Sequence, residues 1–186
     1  MSTSVRGATG EGVEAELARR IQAAWTTIAD QRDALLAWHA AAGPAAALTD
    51  PDAEWDPGRV LAHLAEMVRY WHGEMERILA GGREPITIGR FGTDSVRVHT
   101  VERDRDLPVD ELLARVDVDV RRVVARLTTL DDSALSTRAL HRYYSDRGEM
   151  TLADIVTTSL AKHLEDHSVQ LDRALRLAGA AGGRPA

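Results

Sequence analysis

The chain has 186 residues, with 23 Lys+Arg against 29 Asp+Glu and a net charge of −6 at pH 7. At 44% hydrophobic and 28% charged residues it has the composition of one globular domain, too short for two full domains and neither fibrous nor disordered. It has no cysteine, which excludes disulfides, thiolate metal ligands and a protein-borne thiol nucleophile, and it fits a reducing compartment. The polar, acidic start (MSTSVRGATGEGVEAE) does not read as a signal peptide. The uncharged stretch from Ala34 to Thr49 is too short and too punctuated, by His39, Gly43 and Pro44, to span a bilayer. Acidity, with Lys162 the single lysine, argues against a phosphate-backbone binder. The expectation is a soluble cytoplasmic protein that acts on neither nucleic acid nor membrane.

Apolar residues recur with a helical period almost throughout. Residues 1–12 and 179–186 read as disordered tails around one domain spanning 13–178. The first predicted helix runs from Val13 to Ala42, with Leu17, Ile21, Trp25, Ile28 and Leu35 on one stripe, and Gly43-Pro44 stops it. A second opens at Asp56-Pro57, an acid cap followed by Pro in the first turn, and ends at Gly81-Gly82. Its inward stripe is Val60, His63/Leu64, Met67, Trp71, Met75 and Ile78.

The connection from Gly82 to Leu107 is long enough to run the length of a bundle. In it Ile86/Ile88 and Val96/Val98 alternate with polar residues, as short strands do. Pro108 opens a third helix carrying Leu112, Val116, Val120, Val123, Leu127 and Leu130. Thr151, with Asp154 three residues on, caps a fourth, whose stripe is Leu152, Val156, Leu160, His163, His167, Leu171 and Leu175, ending at Gly179. Four such helices make an all-α four-helix bundle. The long crossover between helices two and three allows those two to be parallel, giving up-down-down-up.

Three histidines carry the chemistry. His163 and His167, four apart, project from one helix face, and His63 lies on the inward stripe of helix two. Three inward imidazoles without cysteine describe a divalent-metal site with positions left open for water or substrate. The plainer alternative is that they are hydrogen-bonded core or surface residues. Glu66, three residues after His63, is a candidate to orient it or accept a proton, or else a solvated flank. Asp166 is expected at the surface, and Gln170 at the site or the core's edge. Trp55, Arg97 and His99 are candidates to line the mouth. Trp25, Trp38 and Trp71 are assigned to core or interface, and His39, His72 and His141 to the exposed surface.

The segment Trp55-Asp-Pro-Gly-Arg-Val-Leu-Ala-His63-Leu, with Thr151-Leu-Ala-Asp and His163-Leu-Glu-Asp-His167-Ser-Val-Gln170-Leu, resembles the DinB-like family. That resemblance, over residues 13–178, implies an up-down-down-up bundle and a divalent metal held by His63, His163 and His167. Characterised relatives use the metal with a low-molecular-weight thiol, as in bacillithiol transferases and mycothiol-dependent enzymes including maleylpyruvate isomerase. In some mycothiol enzymes the middle ligand is Glu, where this chain has His163, so the exact reaction does not carry over. The resemblance implies a metal- and thiol-dependent transferase or isomerase; zinc is expected first among zinc, nickel, iron and manganese, and Glu66, by its spacing from His63, is the candidate catalytic residue. Trp55 and Arg97 are the residues for a mycothiol-type cofactor, a small electrophile or thiol is the partner, and a homodimer is the expected assembly. Two other readings stay open: a metal-dependent hydrolase, and a non-catalytic, stress-related metal-binding bundle.

Overall fold

The computed structural model describes residues 12–42, 55–82, 84–142 and 148–182. In chain order the elements are α1 (Val13–Ala29), α2 (Arg32–Ala42), α3 (Pro57–Ala80), β1 (Ile86–Ile88) and α4 (Ser95–Asp104). Then come α5 (Val109–Leu127), α6 (Asp132–Leu135), β2 (Arg138–His141), β3 (Glu149–Thr151), α7 (Leu152–Val156), a π-helical turn over Thr157–Ala161, and α8 (Lys162–Gly182).

The bundle is built from α1, α3, α5 and the long rod α7–α8, with α1 and α3 each packed against both α5 and the rod. Side-chain pairs give the directions. Glu76 late in α3 meets Arg126 late in α5, so those helices run parallel. Trp25 late in α1 hydrogen-bonds Asp117 in the first half of α5 at 3.0 Å, so that pair is antiparallel. This is the up-down-down-up four-helix bundle. Its core is the predicted stripes: Ile21, Ile28, Leu35, Val60, Leu64, Val116, Val120, Leu160 and Leu171 are fully buried. Asp56 caps α3 by accepting the Arg59 N–H at 2.8 Å, with Pro57 in the first turn. Thr151 and Asp154 form a reciprocal capping box at the start of α7.

Four expectations are corrected. The first helix is two: the chain breaks at Asp30-Gln31, where the Gln31 N–H turns back to the Ile28 carbonyl at 3.1 Å. Thr26 and Thr27 bond back to the Gln22 and Ala23 carbonyls just before the break, a pattern that bends helices, and the bend lets Leu35 reach the core. Val96 and Val98 form no strand. Asp94 caps the Arg97 N–H at 3.1 Å, so the segment becomes α4, and both valines face outward.

The fourth helix does not stop at Gly179 but continues to Gly182. One glycine among Ala178, Ala180 and Ala181 costs about 1 kcal/mol, which the best helix formers on either side tolerate. Finally, the expected Ile86/Ile88 strand forms, as β1, but it belongs to a small sheet that the periodicity does not show, with β1 parallel to β2 (Ile86 opposite Ala139) and β2 antiparallel to β3. The stop signal Gly43-Pro44, residues 1–11 and residues 183–186 lie outside the described residues. No described helix is long and apolar enough to cross a membrane.

Candidate metal centre

His63, in the second turn of α3, is 2% exposed, and His163 and His167 come from the first two turns of α8. Each of the three offers one ring nitrogen, and these nitrogens all lie within 4.8 Å of one another. His63 Nε2 and His163 Nε2 are 3.3 Å apart. Two nitrogen ligands at zinc–nitrogen distance in a tetrahedral arrangement would be about 3.3–3.4 Å apart, so the pair is already at ligand spacing. His167 Nδ1 pairs with Gln170 Oε1 at 2.6 Å, while its buried Nε2 has no hydrogen-bond partner. Because an amide oxygen only accepts, Gln170 holds the proton on Nδ1 and leaves the Nε2 lone pair facing the other two rings. An orphaned imidazole nitrogen beside two others is a donor set that fits a divalent ion. Among the described residues no further His, Asp or Glu joins the group.

A family model described as the DinB superfamily matches residues 16–171. The chain belongs to the DinB superfamily. A solved structure, YfiT from Bacillus subtilis, described as a probable metal-dependent hydrolase with an unusual four-helix bundle topology, aligns with a TM-score of 0.58 at 16% identity. The alignment covers 96% of this chain and 94% of that one, and at this identity it speaks for the fold. A comparison with curated proteins finds no match.

In this DinB-superfamily chain the π-helical turn Thr157–Ala161 sits immediately before the two histidine-bearing turns of α8. One extra residue per turn rotates everything downstream by roughly 100° relative to an unbroken α-helix, and so sets which face of α8 meets His63. Thr157 and Thr158 bond back to the Ala153 and Asp154 carbonyls, at 2.7 and 2.9 Å, within this widened turn.

His63 and His163 line a cavity of about 420 Å³ walled also by the segment after β1, the start of α4, the end of β2 and the π turn, with His167 behind them. Glu66 lines it, ion-paired through Oε1 to Arg90, with its buried Oε2 unpartnered. It is therefore no solvated flank. Arg97 also lines the cavity, with its guanidinium on the Gly92 carbonyl at 2.6 Å and 3.5 Å from His63 Nδ1. Trp55 is not in the cavity wall. Its ring meets His63 edge-on, centroids 5.2 Å apart, with Arg97 at 5.6 Å from its centroid, so it backs that imidazole instead. His99 is exposed on α4 and lines nothing there. Asp166 is at the surface, paired with Lys162 at 2.8 Å.

His141 is relocated by the structure, while Trp71 packs against the core as expected and also faces the cavity. His141 is buried, not exposed, and both residues line the cavity, their rings stacked at 5.6 Å. The alternation Arg138-Ala139-Leu140-His141 carries the signal, since it places His141 on the buried face with Ala139 once the segment is a strand. Arg90 and Tyr70, which no sequence motif marks, complete the wall, with the guanidinium 3.9 Å over the phenol ring. Burial pushes the Tyr70 hydroxyl up to about 12, aided by nearby Glu74.

Burial also governs the triad. Desolvation, reinforced by the neighbouring His167 and by Arg97, lowers His163 from 6.5 to about 4 and drives His63 well below its usual range. His167 is lowered by burial against the opposing Gln170 hydrogen bond. All three are neutral near pH 7, as metal ligation requires. For the metal-free protein, the unfolded chain binds protons between pH 6.5 and about 4 that folded His163 does not. Stability therefore falls as pH drops through that window. Thermal unfolding from pH 8 to 4.5 should show a progressive loss below pH 6.5, shallower in His163→Gln. A flat profile down to 4.5 would contradict the buried neutral triad. Removing the Gln170 amide frees the His167 tautomer, so Gln170→Ala should weaken metal affinity by about 10–100-fold with little change in melting temperature of the metal-free chain. Unchanged affinity in a competition titration with a chromophoric chelator would dismiss that positioning role.

Proposed function

We propose that this chain is a metal-dependent enzyme acting on small molecules, with His63, His163 and His167 holding a divalent ion, zinc first, at the inner wall of the cavity. The observation that supports it is the three-nitrogen cluster, two of whose rings, His63 and His163, line the 420 Å³ cavity, with no fourth described ligand closing it. An ion held there supplies Lewis acidity and a lowered pKa for a nucleophile beside it.

The chain's own residues supply the rest. Gln170 fixes the His167 tautomer, and Trp55 backs the His63 ring. Glu66 Oε2, one turn along α3 from His63, accepts a hydrogen bond or proton from a group in the cavity. With no cysteine of its own, the chain takes a low-molecular-weight thiol of the mycothiol type as nucleophile. Its sulfur bonds to an electrophilic carbon, its proton passes to Glu66 or solvent, and a leaving group departs or a double bond shifts. The second reading is a hydrolase with water as nucleophile, favoured by the description of YfiT. The enzyme is cytoplasmic and dimeric in this proposal, the latter read by light scattering.

The test uses zinc-loaded protein with monobromobimane and mycothiol or N-acetylcysteine, beside p-nitrophenyl acetate without thiol. Thiol-dependent adduct formation above the uncatalysed rate, lost in His63→Ala, supports the thiol reading. Ester hydrolysis alone, equally lost in that variant, transfers the site to the hydrolase reading. Neither activity, with chelation lowering only the melting temperature, would leave a structural metal.

A further inference from the structure

The cavity wall away from the histidines has a character that the proposed reaction does not use. The charged side chains lining it are two guanidiniums, Arg90 and Arg97, and one carboxylate, Glu66; Arg90 is held by Glu66 and lies 3.9 Å from Asp94 behind the wall. Among the side chains that line the cavity, this leaves a surplus of positive charge on the Arg97 side. Its apolar members are concentrated in aromatic rings. Trp71 is braced by the stacked His141, which in turn sits against Gly89 at φ +82°, where an added Cβ would lie 3.0 Å from the imidazole. Tyr70 is fixed beneath Arg90, and Phe91, 53% exposed, stands at the rim. The space, about 420 Å³, suits a ligand of one ring and a few substituents.

Resting on the reading of this cavity as the substrate site, we propose that it takes a small aromatic carboxylate, with the ring among Trp71, Tyr70 and Phe91 and the carboxylate on the Arg97 side, next to the triad. A cationic ligand of the same shape meets two guanidiniums and a divalent ion and is repelled. A saturated ring of the same charge loses the directional contact with the aromatic edges and faces. The larger groove between α3 and α5, about 1220 Å³, offers no such bias. There Glu74, Asp104, Glu111 and Asp119 are paired with Arg77, Arg103, Arg115 and Arg122.

The experiment is calorimetric titration of the zinc-loaded full-length chain with benzoate, cyclohexanecarboxylate and benzylamine, with zinc content measured on the same samples. Benzoate should bind at least about tenfold more tightly than benzylamine, and more tightly than cyclohexanecarboxylate. Trp71→Leu should remove the preference for benzoate over cyclohexanecarboxylate. Arg97→Gln should weaken benzoate by about tenfold or more, Arg97→Lys by less, and Arg69→Gln in the outer groove not at all. Benzylamine binding as well as benzoate, or benzoate binding unaffected in zinc-replete Arg97→Gln, would overturn the proposal. The latter would mean that the carboxylate sits on the ion alone. If Arg97→Gln loses zinc, the wild-type ligand series and Arg97→Lys decide. Failure to load zinc at all counts against the metal-enzyme reading. One zinc per chain without a preference for benzoate counts against this inference only.

Discussion

Replacing His63 by Ala is expected to abolish stoichiometric metal binding while leaving the bundle helical. The imidazole supplies one of three nitrogens within 4.8 Å of one another, and the remaining two both come from the same face of α8. Two ligands on one helix, with the α3 side empty, hold an ion far less tightly than three that converge from two helices. Losing even an outer hydrogen-bond partner of a ligand costs about 10–100-fold, so losing the ligand itself should exceed the top of that range. The fold does not depend on this ring, because Val60, Leu64, Met67 and Val68 around it stay packed. Plasma mass spectrometry of untagged wild type and variant, with far-ultraviolet circular dichroism of both, checks the result. About one ion per chain in the wild type and none in the variant, at equal helicity, is the expected outcome. A variant that keeps its metal at wild-type affinity would remove His63 from the centre.

The second large effect is expected far from the three histidines in sequence, at Gly89→Val. Gly89 has φ +82°, a region a β-branched residue adopts only under strain. An added Cβ would lie 3.0 Å from His141 Cε1 and 3.1 Å from Nε2. The Gly89 N–H also donates to Glu74 Oε2 at 3.3 Å, which ties the segment after β1 to α3. Strain and overpacking together cost about 2–4 kcal/mol. In a chain of this size that lowers the melting temperature by about 5–15 °C. Because His141, the ring stacked on Trp71, must shift, cavity-dependent activity should fall more than metal content does. Differential scanning fluorimetry and metal analysis of the same sample separate the two. A variant with wild-type melting temperature and wild-type activity would show that the His141–Trp71 wall is dispensable.

How much of this could be read in advance follows from the range of the forces involved. The four bundle rods, their caps and the triad were legible because each rests on local spacing. Asp56-Pro57 and Thr151/Asp154 satisfy helix-end N–H groups within one turn, and His163 and His167 share a face by the geometry of one helix. Gln170, three residues after His167, was visible for the same reason. The break at Asp30-Gln31 is missed because the apolar stripe keeps its helical period across the bend, and Val96/Val98 read as a strand because alternation is a weak signal over three or four residues. Back-bonding threonines and the Asp94 cap outweighed those signals.

His141, Trp71, Arg90 and Tyr70 belong to a different category. Their importance depends on β1 pairing in parallel with β2 across more than fifty residues of chain, and no local rule forecasts such a pairing. By itself, then, the sequence determined an all-α bundle of the DinB type with three inward histidines, because helical periodicity, caps and i,i+4 spacing act within a few turns. Tertiary structure alone decided that the π turn aims α8 at His63, that Glu66 is held by Arg90, and that an aromatic, arginine-bearing wall stands opposite the triad. Those facts depend on where distant segments pack, and burial, not sequence neighbours, sets both the protonation of the imidazoles and the shape of the cavity they face.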